Sequence, residues 1–404
     1  MANTLLTPTE ILRESLTLLK PQLNFIGNCD RQYDERFANT GASLSGKIGP
    51  NLQIRLPNQY TLRTGLVASV QNTTEKSLTL TVSTVKGVDL SFGSDELALS
   101  MQDFSKRVLE PAMLTVSSGL EAYALDMVKD IYQLVGTAGT TPNALSTFLS
   151  AAKLLNKSLT PTKKRLVIVD SDTQVSMVDT AKALYAPQPS IAEQYLDGYI
   201  THQAGFDWWT NELIPVHTLG TAVNNAGAVN GAGQTGSTLN VKSFAAGATI
   251  TRGTVFTITS GTAVDMVHPT VFSTYGFAQQ FVVTADATCD GSGNAALSIS
   301  PSITTSGAYQ NVTASPDDGA AITIVGTAST GYAQNIAFYP DAFAFVTADL
   351  EDLEGTKCVR EVYDKIAMRY CQGSDILNSQ SIKRLDVLCG KLTQRPSMGC
   401  RITR

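Results

Sequence analysis

Between residues 220 and 335 the chain almost stops using charge. Gly, Ala, Thr and Ser dominate this stretch, while charged segments with helical patterning precede it. Short alternating runs recur inside it: TVFTIT at 254–259, FVVTAD at 281–286, ALSIS at 296–300 and AITIV at 321–325. Turn clusters such as DGSGN and SPDDG separate them. Side chains on a strand point to alternate faces, so each run can bury only one face. Short strands at this spacing close into an all-β barrel or sandwich. Beyond it, NIAFYPDAFAFVTADLED and KRLDVLCGKLTQ restore an α/β region with alternating strands. The simplest reading is one α/β domain interrupted by a small β module, with the junction at Leu219-Gly220. No internal repeat is convincing.

The rest of the 404 residues supplies the helices. Thr7-Pro8-Thr9-Glu10 is a helix start, with Thr7 as cap and Glu10 closing a capping box, and the helix runs to about Lys20. From Leu52 the period is two: Leu52, Ile54 and Leu56, then Leu78, Leu80 and Val82, then Val88, Leu90 and Phe92. This reads as a long β finger. Two strands bury too little apolar area to offset their ordering entropy, and their open edges recruit other chains, so the finger needs a partner surface. Leu109, Met113, Val116, Leu120, Ala124, Met127, Ile131 and Leu134 share one face of a long helix, with Pro111 as a kink or first turn, spanning about 40 Å at 1.5 Å per residue. Helices near 143–156, 172–185 and 190–200 and the strand RLVIVD at 165–170 then form a compact α/β region.

Composition excludes several classes. Only 16% of residues are charged, so the chain has large cores or hides much of its surface against partners. A net charge of −5 argues against a dedicated nucleic-acid binder, which needs a basic stripe. No stretch approaches the roughly 18 apolar residues of a membrane span. Glu10, Arg13 and Glu14 interrupt the amino-terminal apolar residues, unlike a secretion signal. Six cysteines without a C-x-x-C pair read as reduced thiols of a cytoplasmic product.

The candidate chemical sites are weak. Gly41-Ala42-Ser43-Leu44-Ser45-Gly46-Lys47-Ile48 nearly matches a phosphate-binding loop, but Ile48 replaces the hydroxyl that holds magnesium. RLVIVDSDT ends in Asp170 and Asp172 without a glycine-rich turn, so Asp172 reads as the cap of the next helix. His202, Asp207 and His217 flank the only two tryptophans, yet no catalytic or metal-binding spacing joins them. Trp208 and Trp209 read instead as a packing anchor at the domain junction or a subunit interface.

The order of helical arm, long β finger, long helix and compact α/β domain resembles the major capsid (coat) proteins of tailed bacteriophages with the Hong Kong 97-type fold. The closer similarity is to the short-tailed-phage subgroup with an inserted β domain. The motifs that carry it are GTAGTTP, AGFDWWTNELIPVHTLGT, RGTVFTITSGTAVDMVHP, QQFVVTADATCDGSGNAALSISPSI, NIAFYPDAFAFVTADLE and IKRLDVLCGKLTQRP, collinear from about Asn51 onward. The resemblance implies an α+β capsid fold: an N-terminal helical arm over 1–36, an extended loop with supporting strands over 37–100, and a spine helix over 101–136. The axial α/β domain would occupy 137–219, the inserted barrel-like β domain 220–335, and the returning strands 336–404. It implies a non-enzymatic shell protein, without cofactor, catalytic residue or metal, whose partner is many copies of itself in hexamers and pentamers. A scaffolding protein during assembly, a portal protein at one vertex, a decoration protein and non-specifically packaged DNA would be further partners, with no membrane involved. Its place would be the virion capsid, assembled in the host bacterial cytoplasm. Under this reading Arg55, Arg63, Glu75 and Lys76 on the finger make inter-subunit contacts, and Asp30, Asp34 and Glu35 in the arm dock a basic scaffold. A β-rich secreted structural or adhesion protein is the alternative; it would need a secretion signal and has no use for the helices.

Overall fold

The computed structural model describes residues 8–19, 23–31, 51–68, 70–73, 75–93, 108–181, 202–224, 226–259, 264–351, 355–363, 365–375 and 380–404. The helices are α1 (Pro8–Leu19), α2 (Asn24–Asn28), α3 (Glu110–Leu125), α4 (Leu145–Lys157) and α5 (Ser171–Ala181). The strands begin with β1 (Asn51–Arg55), β2 (Ser77–Gly93), β3 (Leu134–Val135), β4 (Leu166–Val169), β5 (His202–Gln203), β6 (Phe206–Thr210) and β7 (Val216–Thr218). Next come β8 (Ala228–Val229), β9 (Gly236–Lys242), β10 (Thr249–Ile250), β11 (Val255–Thr259), β12 (Asp265–Val267), β13 (Thr274–Ala278), β14 (Gln280–Val283), β15 (Ala287–Thr288), β16 (Ala295–Ile303) and β17 (Ala321–Ile324). The last are β18 (Gly331–Phe338), β19 (Phe343–Ala348), β20 (Lys357–Tyr363), β21 (Ile366–Asp375), β22 (Gln380–Thr393) and β23 (Gly399–Thr403). They form two units: α1–α3 with β1, β2 and β19–β22, and the remaining elements with the loop 56–76.

In the first unit, burial alternates along β1 and from Ser77 to Ser91 of β2, as the period of two requires. Leu52, Ile54, Leu80 and Val82 pack with Val346 and Ala348 on β19. Part of the partner surface that the finger needs lies within the same chain. Past its five register pairs with β1, β2 runs antiparallel along β22, from Val82↔Gly390 to Gly93↔Gln380, in the sheet order β1-β2-β22-β21-β20. The strand's ladder is therefore completed by a segment three hundred residues later, and local periodicity carries no information about that partner. Gly87 makes the approach possible, because a Cβ there would lie 2.3 Å from the Leu385 carbonyl oxygen. Ile11, Leu12, Leu16 and Leu19 form the buried stripe of α1, which packs on β20, β21 and α3. The cap residue Thr7 lies outside the described residues.

The expected spine helix over 101–136 stops before its expected end. Residues 101–107 lie outside the described residues, α3 ends at Leu125, and a 3-10 turn follows over Asp126–Asp130. Ile131 and Leu134 are buried, as the apolar stripe demanded, but in extended chain. Leu134 sits in β3, parallel to β23, and exchanges backbone hydrogen bonds of 2.8 and 2.9 Å with the Gln280 side-chain amide. These tertiary bonds compete with the last helical turns, so α3 stops at Leu125 and the apolar stripe continues outside the helix.

In the second unit a mixed sheet has the order β3-β23-β18-β4-β6-β5, with β7 also on β18. RLVIVD is its fully buried β4, between β18 and β6. α4 covers one face, packing Phe148, Ala151 and Leu155 against Val167, Val169, Trp208 and Ile402. α5 begins at Ser171, so the residue in the cap position is Asp170, whose Oδ1 accepts the Thr173 N–H at 3.2 Å. Asp172, expected as the cap, instead pairs with Arg404 at 2.6 Å. The helix expected near 190–200 lies outside the described residues.

The charge-poor stretch closes into a barrel of order β11-β14-β16-β9-β8-β17. Val229, Leu239, Val241, Phe256, Ile258, Phe281, Leu297, Ile299 and Ile322 fill it, with the Phe256 and Phe281 rings stacked 5.8 Å apart. The chain enters and leaves through one ladder, in which β7 pairs with the first residues of β18, Thr218↔Gly331 to Val216↔Ala333. Leu219 N–H donates to Thr330 O at 3.1 Å and Ser329 N–H to Gly220 O at 3.0 Å. A Cβ on Gly220 would lie 2.0 Å from the Thr249 carbonyl oxygen, so only glycine fits the junction.

Candidate functional site

The structure puts His202 and Asp207 together on the surface and His217 in a buried position on β7. His202 Nδ1 and Asp207 Oδ1 are 2.7 Å apart on the exposed β5–β6 hairpin. His217 is buried on β7, where desolvation, with repulsion from Arg401 and Lys129, pushes its pKa down to about 4. These surroundings favour its neutral form. Among the described residues no group of three or more His, Cys, Asp or Glu could hold a metal ion. The Gly41–Ile48 stretch lies outside the described residues.

The two tryptophans separate. Adjacent residues on β6 face opposite sides, so Trp208 is 3% exposed against Phe148 at a ring distance of 4.6 Å, while Trp209 is 36% exposed. Trp208 Nε1 donates to Gln203 O at 3.0 Å, satisfying its one donor. Trp208 is thus an anchor of the α4 core, and only Trp209 reaches the surface.

What sequence reasoning missed is a charged network at the root of the barrel. Arg252 bridges Asp126 at 3.0 Å and Asp130 at 2.7 Å, and its backbone N–H donates to Asp286 Oδ1 at 2.6 Å. Arg401 on β23 is fully buried and donates from Nη2 to Gly253 O at 2.9 Å. Burial lowers its pKa to about 9, against the attraction of Asp130. Arg252 follows a turn and Arg401 lies in the terminal strand, and no local pattern relates them.

The surface that stands out is the loop joining β1 and β2. Its neck is closed by Leu56 N–H donating to Lys76 O at 2.8 Å, and by Gln71, whose amide accepts from Thr61 N–H at 2.9 Å and donates to Thr61 O at 2.6 Å. Arg63 folds back on the tip, donating to Gly65 O and, at 2.9 Å, to Val67 O. Gly65 has φ +105°, a conformation that suits glycine. Lys76 Nζ lies 3.6 Å from the Tyr309 ring centroid, a cation–π contact in which desolvation lowers the lysine pKa. Among the described residues, polar and backbone bonds with the Lys76–Tyr309 contact order the loop. Its large apolar side chains face solvent: Tyr60 and Val70 are exposed, Val67 is 85% exposed, Leu62 89%, and Leu66 completely.

The structure thus places Arg63 and Lys76 within the loop's own scaffolding and puts Arg55 and Glu75 at its exposed base. Asp30 is stitched by its backbone to β19, accepting from Phe345 N–H at 3.1 Å and donating to Phe343 O at 3.0 Å. Asp34 and Glu35 lie outside the described residues. The segment has strand propensity but few core-sized side chains, and the exposure of its leucines and valines is visible only in the folded loop.

The family model described as "P22 coat protein - gene protein 5" matches residues 53–403. No curated protein sequence matches the chain. Among solved structures, a chain of Mycobacterium phage Che8 is 11% identical with a TM-score of 0.48, covering 93% of this chain and 89% of that one. The capsid structure of the cyanophage P-SCSP1u is 9% identical with a TM-score of 0.44, covering 94% of this chain and 97% of that one. A virus-like particle from Pyrococcus furiosus is 6% identical with a TM-score of 0.38, covering 98% of each chain.

Proposed function

Given that this chain belongs to the P22 coat protein family, and so is a major capsid protein of a phage shell rather than an enzyme, we propose that the loop 56–76 is the element by which one copy grips the next. The observation that carries this reading is the exposure of Leu62, Leu66, Val67 and Val70 on a loop already ordered by its own hydrogen bonds. An isolated subunit gains nothing from holding four large apolar side chains in water. A neighbouring copy that covers them gains the hydrophobic term without first ordering a mobile segment. Arg55 and Glu75, exposed at the base, supply the polar rim of the same contact. Such a contact is modest by itself, and a closed shell multiplies it while letting misplaced subunits leave.

In this reading the fold is of the Hong Kong 97 type, with the barrel inserted between β7 and β18. Both ends of the barrel segment lying on one ladder supports that arrangement. Copies would gather as hexamers and pentamers around a portal vertex. A basic scaffolding protein would bind the acidic arm that contains Asp30, Asp34 and Glu35, in the host bacterial cytoplasm, and DNA would be packaged without specific grip. Deleting residues 65–75 tests the central claim. The expected product is a folded, soluble subunit that builds no shells when mixed with scaffold, and normal shells from it would refute the role.

A further inference from the structure

Six cysteines meet two different environments. Cys29, Cys289, Cys389 and Cys400 are buried free thiols. Burial pushes all four thiols up, Cys389 to about 11. Oxidation and exchange proceed through the thiolate, so burial and the raised pKa both disfavour reaction of these four in the folded protein. Cys358 and Cys371 face each other in register on β20 and β21, with Cα atoms 4.1 Å apart, and are joined as a disulfide. This corrects the expectation that all six are reduced. Cys358 is part-exposed, whereas Cys371 is buried beneath it in the same hairpin.

The position of the pair gives it leverage. Among the described residues β20 is the edge strand of its sheet, held through backbone bonds on one side, by β21. Their register runs from Tyr363↔Ile366, beside the turn, to Lys357↔Gln372, so Cys358↔Cys371 closes the open end of the hairpin. An edge strand is the part of a sheet that opens most readily. β20 is also a seat of α1: the helix packs on it, and Arg13 pairs with Glu361 at 2.6 Å.

We propose that Cys358 and Cys371 are a reversible redox staple, closed by a low-molecular-weight disulfide such as oxidised glutathione, that fixes the edge strand β20 and with it the seat of the amino-terminal helix. One cysteine thiolate attacks a glutathione sulfur, forming a mixed disulfide and expelling one glutathione thiolate. The second cysteine, having lost its proton to solvent, attacks the protein sulfur of that mixed disulfide and expels the second glutathione. Two protein thiols and one oxidised glutathione thus become one protein disulfide and two reduced glutathiones.

The test uses the full-length chain, equilibrated natively in oxidised or reduced glutathione, alkylated with iodoacetamide, then denatured, reduced and labelled a second time for peptide mass spectrometry. In oxidised buffer Cys358 and Cys371 are expected to resist the first label as an internal pair, and in reduced buffer both should take it. The other four cysteines should react only after denaturation. Hydrogen exchange at β20 and α1 amides should be at least about tenfold faster in the reduced form, since closing such a loop stabilises the closed state by more than that factor. Exchange at the barrel strand β11 should not change, and in C358S/C371S it should be insensitive to glutathione throughout. Free thiols or stable glutathione adducts at Cys358 and Cys371 in oxidised buffer would overturn the pairing. Equal exchange of α1 in the two redox states would overturn its role as the clamp on that helix.

Discussion

Replacing Leu62 and Leu66 together by serine isolates the loop's contribution to assembly from its contribution to folding. Both side chains are almost wholly in water, at 89% and 101% relative exposure, so the isolated subunit should change stability by no more than about 0.5 kcal/mol. Under the proposed role each subunit would donate one loop and receive one, which amounts to one such contact per subunit. Fully burying a leucine side chain contributes about 2 kcal/mol, and incomplete coverage reduces the pair to roughly 2–4 kcal/mol. At 1.4 kcal/mol per factor of ten, the concentration needed for shells should rise about 30- to 1,000-fold. Light scattering over a subunit concentration series, with scaffold held constant, measures that threshold, and a thermal melt of the unassembled subunit provides the control. An unchanged threshold beside an unchanged melt would refute the argument that the exposed tip is covered in the shell. A lowered melt would refute its premise that the tip does nothing for the single chain.

Glu121 on α3 is buried and accepts the N–H groups of Phe25 and Ile26 at the start of α2, yet desolvation raises its pKa to about 7. The folded state holds this proton more tightly than the unfolded state, so its stabilising contribution, about 3 kcal/mol, is full below pH 4.5 and is lost as pH rises through 7. Denaturant titrations should show E121Q with a flatter pH dependence than the parent across that window. Trp208→Ala should cost about 3–5 kcal/mol by emptying the α4 core, whereas Trp209→Ala should cost less than about 1 kcal/mol, both read from denaturation midpoints. Gly87→Ala should cost about 1–3 kcal/mol, because the added Cβ meets the Leu385 carbonyl and must part β2 from β22. Arg63→Ala leaves the exposed leucines in place but frees the tip, and should raise the assembly threshold by about tenfold through ordering entropy alone.

Much of this architecture is legible in residue order. The alternation of Leu52, Ile54, Leu80 and Val82 marks strands, the sparse charge and regular turns of 220–335 mark a closed β module, and the Leu219-Gly220 junction falls on the ladder where that module begins. Each of these signals lies within a few residues of chain, where period and turn chemistry act directly. The ordering of the loop was not legible in this way, since Arg63 reads as an available cation until its bonds to the tip carbonyls are seen.

The sequence by itself determined which residues alternate, which form helical stripes, and where charge gives way to short strands and turns, because those properties follow from the geometry of a single strand or helix. Only the tertiary structure decided that β2 pairs with β22, that α3 stops at Leu125, that Asp170 rather than Asp172 caps α5, and that Cys358 meets Cys371. The physical reason is range. Backbone sterics and side-chain period act between near neighbours, whereas strand partners and buried charge pairs such as Arg252 with Asp126 join residues whose distance along the chain leaves no mark in the local pattern.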